Sequence, residues 1–245
     1  MHIIFIIILS ISSLCLSSCM QKGVHPEDPY EVVNRKTHQF NMAFDATFLK
    51  PLAKLYKFIL PDSVRVGINN IYNNINILPT AASDLLQGDF KQLPLDFWRF
   101  TLNSTVGLAG IIDVADTHFH LPPHSNDLGL TFARWGDMHS PYIVLPFLGP
   151  ATIRDGMGIL VEYTFLTPYP YIQNNAILYG VLGLRYIDLR SQLFDTEKLM
   201  DEAIDPYAFV RDVYLQRRQY QLKGEQRTGT PFVVDDDLGS DYVSE

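Results

Sequence analysis

A mainly α-helical chain, with amphipathic helices lying in the plane of a membrane leaflet, is the fold class this sequence predicts. Three observations carry that expectation. Apolar residues recur at helical spacing behind starts marked by proline and aspartate, from residue 28 to residue 108 and again from residue 205. Charged residues make up 19%, below the roughly 25% of ordinary soluble domains, while the hydrophobic fraction is 47%. Nothing after Leu16 runs to a span of apolar residues long enough for a transmembrane helix.

The chain opens on the apolar run Ile3 to Leu9 and reaches Leu16-Ser17-Ser18-Cys19. A helix from Ile3 to Leu16 would span roughly 21 Å, too short for a hydrocarbon core of about 30 Å. Small residues followed by cysteine read as a lipoprotein signal, although only His2 and the amino terminus precede the apolar run. Residues 1–18 are therefore expected to be removed, leaving Cys19 to carry acyl chains of the palmitate type. A plain secretory signal or a buried first helix is the alternative. Cys15 would leave with the signal, so neither a disulfide nor a thiolate nucleophile is expected in the rest. The formal charge of −8 argues against nucleic acid as a partner.

Residues 20–27 read as a polar tether. Asp28-Pro29-x-Glu31 then marks a helix start, with Asp28 as cap, and Val33, Phe40 and Phe44 give it an apolar face. Pro51 opens a second element with Leu52, Leu55, Tyr56 and Ile59 in period. Asp62-Ser63 caps a third, weakened by asparagines at 69, 70, 73, 74 and 76. Pro79 is expected to begin a new segment that stops at Gly88. Residues 90–108 predict a helix with Leu93, Phe97, Phe100 and Leu102 inward.

From Gly107 to Gly158 glycine and proline recur, which predicts loops and one small hairpin around Tyr142–Leu145. Residues 159–189 are the most apolar later stretch, but Glu162, Pro168 and Pro170 forbid one continuous span, and the tyrosines suit a water–lipid boundary. Asp205-Pro206 opens a last amphipathic helix with Phe209, Val210, Val213, Tyr214 and Tyr220, and Arg211, Arg217 and Arg218 as polar neighbours. Residues 224–245 turn acidic and read as a disordered tail, which leaves 19–223 as the helical domain.

Catalytic chemistry finds little support. His118-x-His120-x3-His124 could share a metal on an extended chain, but no second cluster completes the set, and no metal or cofactor is expected. There is no nucleophile elbow, P-loop or dinucleotide fingerprint, so the chain is not expected to be an enzyme. What survives is the set of amphipathic helices, which can lie about 5–10 Å into the headgroup boundary. Several in a ring would leave a polar-walled gap between them.

Eight ordered motifs carry a family resemblance. They are Asp28-Pro29-x-Glu31-x2-Asn34-Arg35 with Phe40-Asn41, Leu85-Leu86-Gln87-Gly88, Arg99-Phe100-x2-Asn103-Ser104-Thr105-x-Gly107, and Ile112-Asp113-Val114-Ala115. Pro141-Tyr142-x2-Leu145-Pro146-x2-Gly149, Arg154-Asp155-Gly156, Asp205-Pro206-Tyr207 and Tyr214-x-Gln216-Arg217 follow. Together they resemble the MlaA/VacJ family of outer-membrane lipoproteins.

The resemblance implies a flat helical ring in the periplasmic leaflet of the outer membrane, beside a trimeric porin. A channel in it would pass stray outer-leaflet phospholipid to a periplasmic carrier protein and so maintain lipid asymmetry. It further implies a lipid path near Phe40, Asn41, Gly129, Gly136, Pro141, Tyr142 and Pro146. Met20 is not the aspartate associated with inner-membrane retention. Between Gly136 and Pro141 the family tends to carry extra glycines, where this chain has Asp137, Met138, His139 and Ser140. Two rival readings are a structural lipoprotein that scaffolds a porin without moving lipid, and a hydrolase using the His118–His124 region.

Overall fold

The structure is a computed structural model that describes residues 23, 25–136 and 139–223. The signal expected over 1–18, Cys19 and the tail expected over 224–245 lie outside the described residues. The architecture is mainly α. Helix α1 (Glu31–Phe44) passes through a π-helical turn (Asp45–Leu49) into α2 (Lys50–Ile59). Long α3 (Asp62–Gln87) and α4 (Gln92–Thr105) follow, then short α5 (Val114–Phe119) and α6 (Leu128–Arg134).

A two-stranded antiparallel hairpin, β1 (Tyr142–Leu145) and β2 (Gly149–Thr152), pairs Tyr142 with Thr152 and Leu145 with Gly149. Helix α7 (Ile153–Val161) runs into a second π turn (Glu162–Leu166). A single 3₁₀ turn (Tyr169–Tyr171) leads to α8 (Asn175–Gln192), α9 (Phe194–Asp201) and α10 (Pro206–Leu222).

Several local signals act as the sequence predicts. Gly88 ends α3 at φ 74°, left-handed, where an L side chain is disfavoured. Asp205 caps α10 by accepting from the Tyr207 and Ala208 amides, with Pro206 at the first helical position. The hairpin forms where it was expected.

Other expectations are overturned. Asp28 caps nothing: Tyr30 stands at the start of α1 and Asp28 is wholly buried. Asp62 is not a cap either, for Pro61 holds that position and Asp62 binds Arg65. Pro79 does not start a segment but sits buried inside α3, whose packing against α4, α6 and α8 outweighs the lost backbone bond. The asparagines of α3 serve tertiary contacts: Asn69 accepts from Arg185, Asn70 donates to the Ile111 carbonyl and Asn74 to Ser104. The 107–158 stretch holds α5, α6 and the start of α7 as well as the hairpin.

The largest correction falls on α4, where Phe97, expected inward, is exposed. The apolar stripe of α2 (Leu52, Leu55 and Ile59) is exposed too, as are Phe58, Leu95 and Trp98. The buried positions of α4 are Asp96, Arg99 and Asn103, at helical spacing. In α8 they are Asp188 and Ser191, and in α10 Tyr207, Arg211 and Arg218. Among the described residues, buried polar and charged side chains outnumber buried apolar ones. The apolar core is small and aromatic: Tyr142, Val144 and Tyr207, with Tyr214 and Leu215 against them.

Packing runs in a closed circuit. From α1 it passes to the hairpin, then to α10, α6, α3, α8, α2 and the first π turn, which returns to α1.

Candidate functional site

The outer edge of β1 is the point to build from. A two-stranded sheet leaves one row of amides and carbonyls on each edge without strand partners. Here α1 supplies them from side chains. Asn34 donates to the Tyr142 carbonyl at 3.1 Å and accepts from the Val144 amide at 2.9 Å. Asn41 donates to the Leu145 carbonyl at 2.9 Å and accepts from the Phe147 amide at 2.8 Å. Seven residues of helix rise about 10.5 Å, and three residues of strand about 10 Å, so the two asparagines meet the strand in register. The Glu27 carbonyl takes the Tyr142 amide at 2.8 Å.

The hairpin turn is fastened by rings. Phe147, at φ 65°, meets Phe40 and Phe44 edge to face, with centroids 5.2 and 5.0 Å apart. Thus Phe40, Asn41, Tyr142 and the turn containing Pro146 come together, while Pro141 leads into β1 and accepts from the Ile153 amide. Tyr142 is fully buried in the aromatic cluster.

Two charged networks lie behind this seam. In the first, Asp28 accepts from Asn34 at 2.8 Å and from the Tyr207 hydroxyl, and Arg211 stands 3.5 Å away. Arg35 spans Asp205 and Glu31 and lies 4.4 Å over the Tyr207 ring. The second centres on Arg218, which joins Asp127 (2.6 and 2.9 Å) to Asp155 (2.6 and 3.1 Å). Tyr214 adds a bond to Asp155 at 2.6 Å. Burial opposes ionisation of Asp155, but the Arg218 guanidinium and the Tyr214 and Thr152 donors outweigh it and hold the carboxyl down at about 2. Nearby Glu162 is pushed up to about 7, chiefly by burial, although it accepts from the Leu128 amide at 2.6 Å.

Gly129 belongs to this second network rather than to the hairpin seam. A Cβ there would collide with the Asp155 carboxylate and sit 2.7 Å from an Arg218 nitrogen. Gly136 closes α6 at φ 132° with open space around it, and Asp137 and Met138 after it lie outside the described residues. Arg211 and Arg218, expected as polar neighbours on the last helix, are buried network members. Arg154-Asp155-Gly156 marked one side of that network in the sequence, and Asp127 and Arg218 lay unmarked by any short motif.

Further ion groups join other segments. Arg99 binds Asp113 and the Leu121 carbonyl, and Asn103 bridges Asp113 to the Ala115 amide. Tyr56 binds Asp188 at 2.9 Å, and Arg190 links Asp45 with Glu197. His118 and His120 are exposed, whereas His124 turns inward to Asp84. Among the described residues, the side chains placed to suit a metal ion are Asp84, Asp96 and His124, not the histidine trio. Between α3 and α8 lies an apolar cavity of about 330 Å³ lined by Ile68, Ile71, Ile75, Pro168, Tyr169 and Leu184.

These features define a class: a helical protein with a polar, ion-paired interior and many large apolar side chains exposed, in which no described helix is long and apolar enough to cross a membrane. The chain belongs to the MlaA lipoprotein family, whose profile matches residues 26–221.

It is 30% identical over 243 residues to the intermembrane phospholipid transport system lipoprotein MlaA of Escherichia coli K12, covering 93% of this chain and 94% of that one. The MlaA of Haemophilus influenzae is 26% identical, over 93% and 94%. An uncharacterised protein of Rickettsia felis is 33% identical over 197 residues, 80% of this chain and 78% of that one. A solved chain from work on the structural basis for maintenance of bacterial outer membrane lipid asymmetry superposes with a TM-score of 0.69. It is 30% identical and is covered over 98% of its length by 79% of this chain.

Proposed function

We propose that this protein is an outer-membrane lipoprotein that passes phospholipids which have strayed into the outer leaflet back toward the periplasm. The observation that carries the reading is the inverted build, with charged networks inside and large apolar side chains outside on helices too short or too polar to span. A lipid headgroup cannot cross hydrocarbon cheaply, because desolvating an unpaired charge is costly. A polar route walled by in-plane helices removes that cost, while acyl tails stay against apolar surface such as the α3–α8 cavity. The closed circuit of packing is what a ring around such a route requires. The names of the similar transport lipoproteins favour the same role.

In this reading Cys19 is the acylated anchor, in the periplasmic leaflet. The seam of Phe40, Asn41, Pro141, Tyr142 and Pro146, with Gly129 and Gly136, borders the lipid path. A trimeric porin flanks the ring and a periplasmic carrier removes the lipid. The protein catalyses no reaction; lipid runs down its chemical potential, and direction comes from the carrier.

Deleting the gene should raise outer-leaflet phospholipid and detergent sensitivity, and protein extracted from the membrane should carry phospholipid in native mass spectrometry. Unchanged asymmetry in the deletion strain would refute lipid passage. A porin retained without bound lipid would instead favour a scaffolding role.

A further inference from the structure

We propose that Asp84, Asp96 and His124 form a binding site for one divalent ion of the zinc type, stapling the end of α3 to α4 and to the loop before α6. One oxygen from each carboxylate and one imidazole nitrogen all lie within 4.8 Å of one another. In a tetrahedral zinc site, ligand bonds of about 2.0–2.2 Å put neighbouring donors roughly 3.3 Å apart. His124 Nε2 already stands 3.2 Å from Asp84 Oδ1, on the same carboxylate as the unpartnered Oδ2.

An independent observation points to a missing cation. Asp84 and Asp96 are 0% and 1% exposed, yet no other described group donates to Asp84 Oδ2 or Asp96 Oδ2, so a cation or a proton shared between the two carboxylates must satisfy them. Buried carboxylate oxygens are ordinarily satisfied by donors or by metal. The other oxygens have donors: Asn126 gives Asp84 Oδ1 a bond of 2.6 Å, and Gln92 gives Asp96 Oδ1 one of 3.2 Å. Such bonds orient ligating carboxylates in metal sites. No arginine or lysine is paired with either carboxylate among the described residues.

Two carboxylates and an imidazole suit zinc better than calcium or magnesium, which take oxygen ligands. Water would complete the tetrahedron. Without an ion, a proton must hold the pair together. Burial and the adjoining Asp84 carboxylate raise Asp96 to about 7, while His124 and Asn126 outweigh burial to keep Asp84 low. The inference is independent of lipid passage.

The test uses the full chain, purified in detergent without an affinity tag and stripped with a chelator. Titration with Zn²⁺ alone should show one tight equivalent by calorimetry. The unfolding midpoint should rise by roughly 5–10 °C once Zn²⁺ exceeds its Kd about a hundredfold. X-ray absorption should report a mixed nitrogen and oxygen shell. Asp96→Asn imitates the protonated carboxyl in shape, so it should fold, bind zinc at least a hundredfold more weakly and lose the thermal response; His124→Gln should do the same. Absence of zinc uptake by the unaltered chain would overturn the proposal, leaving the pair as a shared-proton contact. Equal zinc binding by D96N and H124Q would overturn it too, placing the ion on exposed groups such as His118 and His120.

Discussion

Arg218 shows how single residues hold this interior. Its guanidinium presents a rigid fork, and here the fork serves two carboxylates at once, Asp127 and Asp155. Removing one partner of a buried charge pair leaves the other uncompensated, at about 3–5 kcal/mol. Arg218→Ala should therefore lower the unfolding midpoint by roughly 6–20 °C. Adding Asp127→Asn to that variant should recover part of the loss: Asp155 keeps Arg154 at 3.2 Å, whereas Asp127 loses the arginine that neutralises it. A double variant no more stable than R218A in calorimetry would mean the network is held by packing instead. The same geometry sets a pH limit. With Asp155 held at about 2, against an ordinary carboxylate near 4, its contribution is complete at neutral pH. That contribution drains away as the pH falls from about 4 toward 2.

At the scale of elements, the α1–hairpin seam is a helix acting as a third strand. Two asparagines seven positions apart satisfy the free edge of β1, and the Phe40–Phe44–Phe147 rings cover the turn. Asn41→Ala removes the two bonds that hold Leu145 and Phe147, while Asn34 still anchors the first half of the strand. Hydrogen exchange in residues 145–149 should then quicken by about tenfold, as expected for a net loss of about 1–2 kcal/mol, with α3 and α4 unaffected. Unchanged protection of the turn would show that the rings alone fasten it. The π turn at Asp45–Leu49, where α1 passes into α2, lies just beyond this seam, and its Phe48 ring packs on Phe44 with centroids 5.3 Å apart.

The whole molecule is organised by inversion. Phe58 is 87% exposed, Phe97 62% and Trp98 56%, on α2 and α4. Burying a large apolar side chain is worth about 1.5–3 kcal/mol, so in the proposed role these residues would add a hold on the bilayer to that of the acyl anchor. The chain carrying Phe58→Glu with Trp98→Glu should partition onto phospholipid vesicles at least tenfold more weakly in flotation assays, while its circular dichroism and melting stay close to the unaltered chain. A variant that floats equally well would show that these faces are covered by protein rather than lipid.

Much of this was legible in the order of residues. Helix content, the Gly88 stop, the Asp205-Pro206 start and the small hairpin follow from local backbone chemistry, and the ordered motifs led to the family. Asp28 and Asn34 stood out as motif members, though not for the buried bonds they make. What the sequence could not decide was which side of each stripe faces in. Periodicity separates an apolar face from a polar one, but it is silent on which the interior takes, and for that reason Phe97, expected inward, is exposed while Asp96 beside it is buried. Pro79 inside α3, and Arg218 between Asp127 and Asp155, depend on partners tens of residues away. Local propensity and spacing thus determined the elements, while pairing of distant charges, which exists only once the chain has closed on itself, decided the inside and the outside.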